Sequence, residues 1–243
     1  MVSSQPALNP ALDRDSLARA FREKQRLHIP DFIHQAFGER LLAFLAASDA
    51  WTLVMNHGDK LLELNRAIQA DISAAKQVQI DQAIYAAATH GFQFRYENIR
   101  VRLDESAETA PSTPLVDFAR FLESEEMLEF FRAVTGFADL GFVDARATAY
   151  GPGHFLTSHN DDAHDQQRRV AYVFNLAKDW NVDWGGLLTF HDKDSRIVEA
   201  YVPAFGALNL FRVPRQHSVS FVTPFAAGLR YSVTGWLHAG TRP

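Results

Sequence analysis

From about residue 140 onward, the chain breaks into short β-forming runs bounded by Gly, Pro or Asp. They read GFVDARATAY, HFLTSHND, RVAYVFNLA, GGLLTFHD, RIVEAYVP, ALNLFRV, HSVSFVT and LRYSVTGWLH. Short strands at this spacing suggest a sandwich or a jelly roll. The segment before them is mainly helical in pattern. Asp15 to Leu27 is amphipathic, and after Asp31 as an N-cap, Ile33, Phe37, Leu41, Phe44 and Leu45 recur at helical spacing. RLHIPDF reads as an edge strand, WTLVMNHGDKLLELN as a hairpin turning at His57-Gly58-Asp59, and FQFRYENIRVRL as a strand. A long alanine-rich helix should stop at Gly91, and helices starting at Thr113-Pro114 should end at Gly136. There is no repeat and no clear linker. The expectation is therefore one α+β domain over residues 1–243, with a mainly β core. Residues 1–139 would form helical support with a few strands, and residues 140–243 the jelly-roll catalytic core. A plain helix-plus-sheet fold without a site is the alternative.

Composition narrows the function. With 243 residues, 47% of them hydrophobic, the chain can bury a large core. A net charge of -5 offers no basic field for nucleic acid. No apolar run approaches the roughly 20 residues of a membrane span, and the opening MVSSQPALNP lacks a signal-peptide pattern, so a cytoplasmic protein without membrane partners is expected. There is no cysteine, so any metal must be held by His, Asp and Glu.

A His-x-Asp pair is weak evidence by itself: 10 His and 18 Asp in 243 residues give about 0.7 such pairs by chance. The chain has two. His57-Gly58-Asp59 falls in a turn, where Gly and Asp need no further reason. His159-Asn160-Asp161 ends a strand, where residues two apart share a face and both side chains can reach one ion. Downstream, alternation in HSVSFVT puts His217 on the apolar face with Val219 and Phe221. His154, His164 and His191 read as structural or solvated. In LRYSVTGWLH, Arg230, Ser232, Thr234 and Trp236 share one face. An inward Arg230 with no acid on its own strand is costly unless a carboxylate pairs with it, from the protein or from a ligand. Arg14-Asp15-Ser16 shows that the Arg-x-Ser pattern also arises by accident.

The order His159-x-Asp161, His217, Arg230-x-Ser232 resembles the Fe(II)- and 2-oxoglutarate-dependent oxygenases, in their prolyl-4-hydroxylase-like branch. Tyr150 matches a tyrosine that lines the cosubstrate pocket in that branch, and Trp236 a Trp often found after the Arg. VFNLAKDWNVDWGGLLTF is similar to a strand, variable loop and Gly-Gly pair of the family, and VPAFGALNLFRV to the segment before the distal histidine. The chain departs at Asn175, where some animal prolyl hydroxylases carry a second pocket tyrosine. The resemblance implies a double-stranded β-helix and a catalytic iron held by His159, Asp161 and His217. It also implies 2-oxoglutarate bound by Arg230, Ser232 and Tyr150 with Trp236 nearby, O2 as oxidant and ascorbate as reductant. The implied reaction is hydroxylation of a C–H bond, most simply of a prolyl residue in a protein or peptide, with release of succinate and CO2. Alternatives are a small-molecule or free amino-acid hydroxylase, a cupin-like iron enzyme without 2-oxoglutarate, and a non-catalytic jelly-roll binding module. The loop NDDAHDQQRR and the segments around His57 and RYENIRVRLDES would rim the pocket. The oligomeric state is open.

Overall fold

The computed structural model of the protein describes residues 5–58, 60–101, 103, 112–162 and 167–242. Helix α1 (Arg14–Lys24) starts where the Asp13 carboxylate accepts the Ser16 N–H, and ends at Gln25 in the left-handed region. The Arg14-Asp15-Ser16 triplet lies at the start of this helix. Helix α2 (Gln35–Ala47) begins later than the sequence suggests. Asp31 takes a positive φ of 48° in the turn that follows β1 (Arg26–Ile29), so His34 occupies the cap position, without a side-chain bond. The alanine-rich stretch divides into α3 (Arg66–Ala70) and α4 (Ala74–Ala88), because the Ser73 hydroxyl caps a second helix at the Lys76 N–H. Helix α5 (Pro114–Glu123) opens as expected, with Thr113 accepting from Val116 and Pro114 in the first turn. Helix α6 (Glu125–Thr135) closes at Gly136, φ 77°.

The strands before the helical support ends are β2 (Thr52–His57), β3 (Lys60–Asn65) and β4 (Phe94–Arg100). Those of the C-terminal part are β5 (Leu140–Val143), β6 (Arg146–Tyr150), β7 (Phe155–His159), β8 (Arg168–Asn175), β9 (Leu188–His191), β10 (Ile197–Tyr201), β11 (Leu208–Arg212), β12 (His217–Val219) and β13 (Arg230–Ala239). All pairings among the described residues are antiparallel, in the order β1-β11-β8-β13-β6-β4-β7-β12-β9-β10. β2 joins through β4 and carries β3, and β5 joins β13. The two ends of this path meet: Arg26 on β1 pairs with Glu199 on β10, and the His28 and Tyr201 rings lie 5.2 Å apart. The sheet is thus rolled into a nearly closed barrel, the double-stranded β-helix.

Two of the expected strands are shorter than their sequence runs. GFVDARATAY breaks at Asp144, whose carbonyl accepts the Tyr172 hydroxyl and whose carboxylate accepts the Trp236 backbone N–H, leaving β5 and β6 on either side. HSVSFVT pairs only over His217–Val219, so Phe221 is exposed beside Tyr85 and Phe155 rather than inward. The hairpin at His57-Gly58 does form, with Gly58 in the left-handed turn, while Asp59 and His164 lie outside the described residues.

Helices α1, α2, α5 and α6 cover the outer face of β8, β11 and β13 in one apolar cluster. Phe37, Phe118, Phe130, Phe131 and Phe174 are fully buried there, the Phe118 and Phe174 rings 4.7 Å apart, and each such ring contributes about 1.5–3 kcal/mol by leaving water. This helical layer braces one side of the barrel and leaves its mouth open. Helix α4 packs separately, Ile84 meeting Leu53, Met55 and Phe155. No described helix is long and apolar enough to cross a membrane.

Candidate metal centre and its cavity

Strands β7 and β12 pair so that His159 and His217 are direct cross-strand partners, their rings 4.1 Å apart. Asp161 reaches the same point by a different route from the pleat. β7 ends at His159, and Asp161, at φ 60°, turns its carboxylate back from beyond the strand. Asp tolerates that conformation better than most residues. Its Oδ1 lies 3.4 Å from His159 Nε2, and its Oδ2 lies 3.4 Å from His217 Nε2. One ligand atom from each residue falls within 4.8 Å of the others, and among the described residues no other group of His, Asp and Glu does this.

Each ring is held from behind. His159 Nδ1 lies 3.0 Å from the Thr157 carbonyl and His217 Nδ1 lies 2.7 Å from the Arg215 carbonyl. A carbonyl can only accept, so Nδ1 carries the proton and the Nε2 lone pair faces the shared point. Burial, then the neighbouring His159, lowers His217 to about 4. At neutral pH it is an uncharged donor. Burial alone would raise Asp161, but the polar groups around it, the two histidines and the Trp236 indole N–H, outweigh it and hold the carboxyl at about 2. Two neutral imidazole nitrogens and one carboxylate are the donor set of an open-faced Fe(II) site, so the residues present fit that ion.

The three groups line a cavity of about 320 Å³ that also contains Tyr150, Arg230 and Trp236. Arg230 is 1% exposed, and its Nε has no hydrogen-bond partner among the described residues. No carboxylate among the described residues pairs with it; its guanidinium lies 5.2 Å from the Tyr150 ring. Burial lowers it to about 10, which leaves it charged at neutral pH. A buried cation without a counter-ion is costly, and a carboxylate entering the cavity relieves that cost. Gly186, at φ 64°, makes room here: a Cβ would lie 3.4 Å from Arg230 Cδ and 3.2 Å from both Trp180 and Val222. The Trp236 indole N–H, buried and without a hydrogen bond, lies close enough to favour the charged form of Asp161.

Ser232 is placed differently from its neighbours in the motif. It does not line the cavity, and its hydroxyl is 2.8 Å from that of Thr148, which does. Asn175 is fully buried, its amide donating to the Val173 and Ala207 carbonyls, and it too stands off the cavity wall. His154 accepts the Gly151 N–H, and His191 bonds Ser158 and Thr189. Neither joins the centre.

Residues 145–238 match a model of the 2OG-Fe(II) oxygenase superfamily. The match covers about two fifths of the chain and is a likeness of that part alone. The matched segment contains His159, Asp161, His217 and Arg230. Over 139 residues the chain is 28% identical to prolyl 3-hydroxylase OGFOD1 of Mus musculus, a match covering 54% of this chain and 25% of the mouse protein. The chain therefore spans about a quarter of the length of that relative. Among solved structures, a Pseudomonas putida prolyl-4-hydroxylase superposes with a TM-score of 0.60 at 15% identity, over 94% of this chain and all of that one. A Trichoplax adhaerens prolyl hydroxylase, in complex with a hypoxia inducible factor peptide fragment, gives 0.62 at 16% identity over 93% of this chain and 89% of that one. These likenesses are of fold.

The cavity also has a wall that only the segment RYENIRVRLDES hinted at. Phe94, Tyr96, Asn98 and Arg100 alternate along β4 and all face the cavity, with Phe92 and Leu61 at the rim. The rings form a stair: Phe92 to Phe94 at 5.6 Å, Phe94 to Tyr96 at 5.7 Å, and Tyr96 stacked on Tyr150 at 5.2 Å. Phe92 also lies 5.5 Å from the His159 ring. The period-two pattern of FQFRYENIR marks this face, although nothing in it names the partner strand. Of the loop NDDAHDQQRR, Asp161 and Arg168 line the cavity, and residues 163–166 lie outside those described.

Proposed function

We propose that this chain is a single Fe(II)- and 2-oxoglutarate-dependent hydroxylase domain acting on a prolyl residue of a peptide or protein. The observation that carries the proposal is one cavity holding both the His159, Asp161 and His217 donor set and a buried, unpaired Arg230. His159, Asp161 and His217 would bind one face of the ion and leave the other face to exchangeable ligands. With 2-oxoglutarate and O2, bound Fe(II) supplies the oxidising power for C–H hydroxylation, giving succinate and CO2, with ascorbate as accessory reductant.

Every other task falls to the chain. The Thr157 and Arg215 carbonyls keep the Nε2 lone pairs aimed at the metal. Arg230 would take the distal carboxylate of 2-oxoglutarate, with the Tyr150 hydroxyl as a further donor and Thr148, backed by Ser232, on the cavity wall. Trp236 would hold Asp161 charged and oriented. The aromatic stair from Phe92 to Tyr150 offers flat apolar faces for a prolyl ring and excludes water from the reacting bond. The peptide complex of the Trichoplax protein and the prolyl specificity of the mouse relative support a peptidyl substrate.

Anaerobic addition of Fe(II) and 2-oxoglutarate should produce a weak visible charge-transfer band, and admission of O2 should convert 2-oxoglutarate to succinate. A bound ion with neither band nor succinate leaves a non-catalytic binding module. Mass spectrometry of peptides recovered from a treated lysate should then find one added oxygen on proline. Added oxygen confined to small molecules would overturn the peptidyl assignment.

A further inference from the structure

The cavity has a second cationic end that the cosubstrate does not need. Arg146, Thr148 and Tyr150 alternate along β6 on the cavity side. In the register with β13, Tyr150 faces Arg230 whereas Arg146 faces Thr234. Four residues of strand separate the two levels, about 13 Å. The two guanidiniums lie over different rings, Arg230 over Tyr150 and Arg146 over Trp236, so each marks its own end of the cavity. At the outer level Arg146 lies 4.9 Å from the Trp236 ring, Arg168 lies 3.6 Å from the same ring, and Arg100 is the direct cross-strand neighbour of Arg146.

Three guanidiniums at one mouth oppose the overall charge of -5. Like charges placed directly opposite on a sheet repel. Arg168 is lowered by burial and by Arg146, although Asp161 and Asp144 partly offset this. Arg100 bonds Glu63, and Arg168 donates to the Asp161 backbone carbonyl. Arg146 makes no hydrogen bond or ion pair among the described residues, so its five donors face the cavity mouth unused.

We infer that Arg146, assisted by Arg168 and with Arg100 at the rim, receives a carboxylate of the substrate, so that the target residue is flanked by an acidic side chain. This rests on the peptidyl hydroxylase reading above and narrows its substrate class. A carboxylate fits better than a nucleic-acid backbone. The cluster is a single point beside an aromatic wall, in a chain of net charge -5.

The test is binding rather than turnover. The full chain, with and without Zn(II), is titrated by ligand-observed NMR with three peptides. One is capped with Glu on both sides of a central Pro, one is its Gln counterpart, and one is the Gln sequence with a free C-terminus. The Glu peptide should bind about tenfold more tightly than the capped Gln peptide, with the margin shrinking in high salt. Arg146→Gln should erase the margin and Arg146→Lys restore part of it, with thermal unfolding unchanged. A margin found only with the free C-terminus moves the carboxylate to a chain end, and overturns the flanking-acid assignment. Equal binding of all three peptides, no binding of the Glu peptide at millimolar concentration, or an undiminished margin in Arg146→Gln overturns the inference altogether. Loss of the Fe(II) and 2-oxoglutarate band would instead sink the hydroxylase reading, a result independent of the peptide margin.

Discussion

The two residues that say most about this site are a cation with no partner among the described residues and a carboxylate outside its strand. Arg230 is buried with an unpartnered Nε, so its removal takes away a relief that only an incoming anion supplies. Arg230→Ala should raise the 2-oxoglutarate concentration for half-maximal succinate formation by about 30-fold or more, the low end of the usual loss on breaking a buried charge pair. Arg230→Lys should fall between, because an ammonium keeps the charge but not the fork. Unchanged 2-oxoglutarate dependence in the alanine variant would remove Arg230 from the pocket. Asp161 supplies the one anionic donor between two imidazoles. Asp161→Ala should therefore bind Fe(II) poorly and form no succinate, as should His159→Ala. Wild-type succinate yield in Asp161→Ala would refute the ligand assignment. The residue types of this centre were legible in the sequence, but the route of Asp161 was not. Strand alternation puts it on the face of His159, whereas the chain delivers it through a left-handed turn after the strand has ended.

At the scale of elements, local signals with a local cause read true. Thr113-Pro114 opens α5, Gly136 closes α6, and Gly58 turns the β2–β3 hairpin, because each depends on a few neighbouring backbone groups. What failed depends on contacts distant in sequence. Asp144 interrupts GFVDARATAY because Tyr172 and Trp236, both remote in the chain, use its oxygens. Phe221 faces out because β12 stops at Val219. The aromatic wall of β4 was visible as alternation, yet its place across from Arg146 required the register. Gly235 shows how tight that register is. A Cβ there would sit 2.1 Å from the Asp144 carbonyl oxygen, so β13 approaches the Asp144 kink only because this position has no side chain. Gly235→Ala should cost about 2 kcal/mol or more in urea unfolding and displace the neighbouring Trp236. A stability within about 0.5 kcal/mol of wild type would show that the kink yields freely.

The whole molecule is a rolled sheet held at several seams, and one of them titrates. At the turn between β6 and β7, His154 Nδ1 accepts the Gly151 N–H, a role open only to the neutral ring. The backbone on either side is tied to the far strand segment: Gly153 donates to the Val222 carbonyl and Val222 donates to that of His154. Burial, followed by the charge of Arg95, lowers His154 from 6.5 to about 4, with Asp81 acting weakly the other way. Between those two values the unfolded chain binds the proton and the folded chain does not. Stability from this group is therefore complete above about pH 6.5 and is lost as the pH falls towards 4. The loss between pH 7 and pH 5 should be about 1–2 kcal/mol, or a few degrees in Tm for a chain of this size. His154→Gln retains an acceptor for Gly151 and cannot be protonated, so it should flatten that part of the profile while leaving Tm at pH 7.5 close to wild type. Because His217 is also held neutral at the metal centre, the comparison is made between the two proteins at each pH, and only the difference belongs to the turn. A profile as steep in His154→Gln as in wild type would mean that the β6–β7 seam does not titrate, and that the acid sensitivity of the fold originates elsewhere.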